Sequence, residues 1–165
     1  MMKDVCFSAL AMAAISALGL GGSAAQGATA SATVTARILQ QAAITKTSDL
    51  DYATIVPAST ASTVIVAPVT GTRVCGAGLV CTGTATAARF SVAGTLGQLV
   101  TVSVPANVTL TSGSHTMTST LLSSLVAPIT LLATNEFTVG GTLAVGADQV
   151  DGVYTGTFTA TVDYQ

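Results

Sequence analysis

Charge is the scarcest resource in this chain. Its 165 residues include 5 Lys and Arg and 7 Asp and Glu, for a formal net charge of −2. Past the opening segment the cations are Arg37, Lys46, Arg73 and Arg89. These are too few and too dispersed to form a basic patch, so nucleic acid is excluded as the expected partner. There is one histidine, His115, and no tryptophan. A lone His with no second cysteine pair does not make a metal site, so neither metal nor cofactor is expected. No apolar run beyond the first 30 residues approaches the length needed to span a bilayer, and no stretch there carries the periodicity of a helix.

The opening "MMKDVCFSALAMAAISALGLGGSAAQGATA" has Lys3 near the amino end, an apolar run of about 16 residues from Val5 to Leu20, and a tail of small residues. That pattern reads as a secretory signal peptide over residues 1–25. Cleavage is expected after Ala25, with Ser23 and Ala25 at the two specificity positions; the bonds after Ala28 and Ala30 are the other candidates. A membrane anchor is the competing reading, disfavoured by the short run and by the absence of a charged stop behind it. Cys6 leaves with the peptide, and about 140 residues remain, enough for one domain with its own core.

What the chain does have is hydroxyl groups. Its 28 threonines accompany a mean hydropathy of +0.70. A hydrophobic, Thr-rich, helix-poor chain is what two packed sheets look like in sequence. Strands are expected near 31–39, 43–47, 50–56, 63–69, 86–93, 99–104, 107–111, 115–122, 129–132, 135–139, 142–145 and 153–164. Turn chemistry separates them at "GAG" 76–78, "AGT" 93–95, "SGS" 112–114, "GG" 140–141 and "DG" 151–152. Pro57, Pro68, Pro105 and Pro128 fall at or near strand ends, where a missing N–H does least harm. The fold expected is an all-β, immunoglobulin-like antiparallel sandwich.

Cys75 and Cys81 are the cysteines left after processing, and in an oxidising compartment they are expected to close a disulfide. The seven-residue loop it closes corresponds to about 2.4 kcal/mol in the chain-entropy model. Catalytic groupings are missing. Ser112 and Ser114 flank His115 without an activating motif, and a polar hairpin tip accounts for all three. Asp49 and Asp51 share a strand face, Asp148 and Asp151 straddle a turn, and neither pair offers enough oxygens for Ca²⁺. No catalytic residue is assigned, and the chain is read as a non-enzyme.

The two ends of the mature chain carry the most information. From Tyr154 the even positions run Tyr154, Gly156, Phe158, Ala160, Val162, Tyr164, and the odd positions from 155 to 161 are all threonine. At the other end Ala32, Val34, Ala36 and Ile38 alternate with Thr33, Thr35, Arg37 and Leu39. Each is a two-faced strand of period two.

With Gly152 fourteenth from the end and Tyr164 penultimate, the last segment resembles that of chaperone-usher pilus subunits. The segment after the first strand reads "LDYA" at 50–53, where spore-coat-U-like and archaic pilins often read "LDFG". Across "SATVTARIL", "ITKTSDLDYATIV", "ARFSV", "NVTL" and "GVYTGTFTATVDY", the chain resembles the bacterial secreted family catalogued as domain of unknown function 4402.

The pilin resemblance implies an immunoglobulin-like domain, residues 40–165, that lacks its last strand, preceded by a donor arm over residues 26–39. A periplasmic chaperone would fill the groove first. An outer-membrane usher would then replace the chaperone strand with the arm of the next, identical subunit. Ala32, Val34, Ala36 and Ile38 are the expected donor positions, and Gly152, Tyr154, Phe158, Val162 and Tyr164 border the expected acceptor groove. The chain would stop at Gln165 because its next strand arrives from another molecule. Export through the periplasm to a surface filament, a fimbrium, follows. The short Cys75–Cys81 spacing departs from the early-strand disulfide common in such pilins. The alternative expectation is a self-complete secreted sandwich, acting as a coat protein or binding module, whose own first strand folds back.

Overall fold

The computed structural model describes residues 27–126 and 128–165; the expected signal peptide and its cleavage site at Ala25 lie outside them. The chain divides into two units, Met1–Ala36 and Arg37–Gln165. In the first, residues 27–36 are exposed and carry no regular secondary structure.

The second unit is all β. Its strands are β1 (Ala43–Ser48), β2 (Thr54–Val56), β3 (Ser62–Val66), β4 (Arg73–Cys75), β5 (Val80–Thr82) and β6 (Ala88–Ala93). They continue with β7 (Leu99–Ser103), β8 (Asn107–Ser112), β9 (His115–Ser123), β10 (Ile129–Thr130), β11 (Asn135–Val145) and β12 (Thr161–Tyr164). All pairings are antiparallel. The main sheet runs β1-β6-β11-β3-β4, with β9 paired to β11 and β8 to β9. A second sheet runs β10-β7-β12, and β2 pairs β5 in a third. Among the described residues no helix is long and apolar enough to cross a membrane.

Period-two burial shows why these residues form strands. In β6, Ala88, Phe90 and Val92 point inward and their neighbours outward. Two clusters result. One gathers β6, the first half of β11, β7 and the terminal segment, with Phe90 stacked on Phe137 at 5.0 Å between ring centroids and Phe158 edge-on to Phe90 at 6.0 Å. The other holds Tyr52, Val64, Val66, Leu143 and Val145.

The differences from sequence expectation have local causes. Gly140 and Gly141 do not turn; they lie inside β11, which merges the two strands expected at 135–139 and 142–145. A Cβ at Gly140 would collide with the Val66 carbonyl, and one at Gly141 with Tyr52 Oη and the Thr120 carbonyl. Glycine here permits close approach to neighbouring chain. The strand expected at 50–56 shortens to a bridge at Asp51 and β2, because Ala53 has φ 58° and interrupts the ladder. β4 and β5 were not anticipated: the Cys75–Cys81 disulfide joins two three-residue strands around a turn at Gly78, which has φ 78°. Residues 31–39, expected as a strand, have no ladder partner and form none. The terminal strand is a bridge at Thr155 and the four residues of β12, rather than one ladder over 153–164.

Candidate functional site

The site begins with two strands that each carry a single ladder: among the described residues β1 pairs β6 alone and β12 pairs β7 alone. Between the chain leading through β1 to Pro57 and the chain from Gln149 to Tyr164 lie three cavities in sequence. The first, about 490 Å³, lies between residues 50–57 and 149–154, over Leu110, Met117, Leu143 and Val145. The second, about 440 Å³, lies between Lys46, Asp49, Asp51 and residues 154–158, over Phe90, Val108, Leu110 and Ser119. The third, about 370 Å³, lies between residues 39–42 and Val162, Asp163 and Tyr164. As one wall advances from residue 39 to 57 the other recedes from 164 to 149, so the walls run antiparallel; the first two cavities adjoin at Leu50, Asp51, Tyr52, Leu110 and Tyr154.

Each wall is anchored from behind. Asp51 exchanges main-chain hydrogen bonds with Thr86, and the Arg73 guanidinium donates to the carbonyls of Tyr52, Thr82 and Gly83 at 3.0 to 3.1 Å. Asp51 Oδ1 accepts the N–H of Ala53 at 2.7 Å, a local Asx bond that holds the left-handed residue in place. Asp49 pairs with Lys46. These contacts are structural, and they account for the carboxylates singled out at 49 and 51. His115 sits exposed beside the β8–β9 turn, as a hairpin tip requires.

On the opposite wall, Tyr154, Phe158, Val162 and Tyr164 are half-buried and Ala160 is buried, while every odd residue from Thr155 to Asp163 is exposed. The alternation read from the sequence thus holds at the side chains, although residues 156–160 belong to no ladder. Gly152 is exposed, with φ 153°. Tyr164 is fastened beside the third cavity: its Oη accepts the Thr95 N–H and donates to the Gln40 carbonyl, both at 2.7 Å. Gln40 N–H in turn donates to Thr95 Oγ1 at 2.7 Å.

The groove floor contains one polar spot. Tyr52 Oη and Ser119 Oγ share a 2.6 Å hydrogen bond although both residues are buried. Burial pushes the Tyr52 phenol above its ordinary pKa of 10.0, opposed by the bond to Ser119.

The residues named at the terminal segment therefore come together along one wall. Those named as donor positions do not enter any ladder: Ala32, Val34 and Ala36 are exposed in the first unit, and Ile38 is exposed ahead of β1, with Val34 and Ile38 each 93% accessible. The floor residues Tyr52, Phe90, Leu110 and Ser119 were not picked out in advance. The "LDYA" stretch was the available signal for Tyr52; nothing local marks Ser119, whose burial depends on β9 lying against β11.

Among the described residues, fold and cavities together define an all-β protein of antiparallel sheets with cavities between residues 39–57 and 149–164. The chain belongs to the family described as Domain of unknown function (DUF4402), whose model matches residues 42–164. Searches of curated proteins and of solved structures return no match.

Proposed function

We propose that this chain is the structural, non-catalytic subunit of a surface filament and that it polymerises by donor-strand exchange. In this reading the second unit is an immunoglobulin-like sandwich short of one strand. The groove between β1 and the terminal segment receives residues 26–39 of another copy, after a periplasmic chaperone has held it open and an outer-membrane usher has directed the exchange. The observation that carries the proposal is a pair of adjoining cavities over Leu110, Met117, Leu143, Val145, Phe90 and Val108, flanked on one side by residues 149–158, which form no strand. Chain segments without ladder partners beside apolar cavities invite β-strand addition, in which main-chain bonds supply affinity and alternate side chains supply register.

The arm has the complementary character: an alternating apolar face that is exposed and, among the described residues, in no ladder. Burying Val34 and Ile38 would be worth about 1.5 to 3 kcal/mol each. An aspartate in their place would be buried unpaired at greater cost.

The test is the state of the assembled material. Sheared surface filaments should contain this chain and run on unboiled gels as a ladder that collapses to one band on boiling. Val34→Asp should abolish the ladder while leaving a folded subunit, and Thr35→Asp, on the opposite face of the arm, should leave it intact. Ladders from Val34→Asp equal to wild type would sink donor-strand exchange. A self-complete secreted domain, acting as a coat protein or binding module, would replace it.

A further inference from the structure

We infer that Tyr52 is the register-setting residue of the groove: a donated arm seats with Val34 and Ile38 in the two larger cavities and Ala36 crossing the divide between them. This deepens the donor-strand reading and rests on it. Tyr52 and Tyr154 both line the first and second cavities, so the two tyrosines stand where one gives way to the other.

Tyr52 is fixed rather than adaptable. Its hydroxyl is bonded to Ser119 at 2.6 Å, its carbonyl accepts from Arg73 at 3.0 Å, and the absence of a Cβ on Gly141 makes room for Oη. The groove's other wall repeats the same rhythm. Its same-face positions 152, 154, 156 and 158 read Gly, Tyr, Gly, Phe, while arm positions 32, 34, 36 and 38 read Ala, Val, Ala, Ile.

Same-face residues on a strand recur about every 6.6 Å, so in an extended arm Val34 and Ile38 stand about 13 Å apart. In that phase one bulky arm residue enters the cavity lined by Gly152, the other enters the cavity lined by Gly156, and Ala36 faces the tyrosines. A slip of two residues would place Val34 or Ile38 on Tyr52 and leave at least one alanine in a cavity, combining overpacking with unfilled volume. The apolar face alone would tolerate that slip, since it keeps every inward residue inward. The divider is what penalises it.

The experiment uses the full-length subunit in the cells that produce it, read by the unboiled-gel ladder and by the amount of folded monomer. Ala36→Leu should reduce the ladder at least tenfold, whereas Ala32→Leu, the same change on the same face outside the Val34–Ile38 interval, should reduce it less than twofold. Adding Tyr52→Ala to Ala36→Leu should recover at least threefold of the loss. Equal effects at 32 and 36, or no effect at either, overturn the register while donor-strand exchange survives. No recovery in a double variant that accumulates as folded monomer overturns Tyr52 as the divider. If Tyr52→Ala prevents folding, the comparison of Ala32 with Ala36, both exposed in the subunit, decides alone. Wild-type assembly by Val34→Asp removes the underlying reading and this one with it.

Discussion

The two alternating ends of this chain look alike in sequence and differ completely in structure. Residues 32–38 and residues 154–164 both place apolar side chains at every second position. In the terminal segment the apolar face lies on the core, with Phe158 against Phe90 and Val162 and Tyr164 packed on the same cluster. In the arm the same pattern leaves Val34 and Ile38 at 93% exposure. Period-two alternation therefore states that a face is suited to burial, and says nothing about which molecule supplies the other side.

The sharpest way to break that comparison is to truncate one large residue at each end and measure unfolding of the monomer in urea. Phe158→Ala removes an aromatic packed edge-on to Phe90, and should cost about 3 kcal/mol. Val34→Ala should change monomer stability by less than about 0.5 kcal/mol, because Val34 is exposed in the monomer. A comparable loss at Val34 would mean that the arm already stabilises its own domain.

A middle-sized effect belongs to the Tyr164 bonds beside the third cavity. Tyr164→Phe deletes the acceptor of the Thr95 N–H and the donor to the Gln40 carbonyl, and should cost about 1 to 2 kcal/mol. The same variant should speed hydrogen exchange at Thr95, read by amide exchange. Unchanged protection there would show that water replaces the hydroxyl without loss.

The smallest effect distinguishes the groove floor from both ends. Tyr52→Phe should cost about 1 kcal/mol at neutral pH, since it breaks the bond to Ser119 but keeps the ring. The pH dependence is more diagnostic. Because the folded phenol titrates above its ordinary value of 10.0, its contribution is complete below that pH and is lost as pH rises from there through the folded value. Unfolding free energies between about pH 8 and about pH 11 should fall less steeply for Tyr52→Phe than for wild type. Parallel slopes would place the Tyr52 hydroxyl in water.

Much of the fold was legible because it follows from short-range pattern. β6, β7, β8 and β9 fall within a residue or two of where alternation and turn residues put them, and the cysteine pair closes as its spacing and number suggest. The misreadings share a cause. The Gly140–Gly141 pair has the composition of a turn, yet it serves the approach of β11 to Val66, Tyr52 and Thr120, residues 21 to 89 positions away. Ala53 breaks a strand that its neighbours favour, since the Asx bond from Asp51 holds it at φ 58°, a conformation easier for the glycine of "LDFG". β4 and β5 are too short to show a period, and exist because β3 and β2 offer them edges.

What the amino-acid order determined by itself is the alphabet of faces: which residues of each segment turn toward a core and which toward water. It does so because side chains on an extended backbone alternate sides whatever lies around them. Which faces meet was decided only in three dimensions. Long-range antiparallel pairing leaves β1 and β12 as edges, sets Tyr52 over Ser119, and aligns three cavities between segments more than 90 residues apart in sequence. Local pattern cannot encode that outcome, because a free strand edge is defined by the neighbour that the rest of the chain fails to provide.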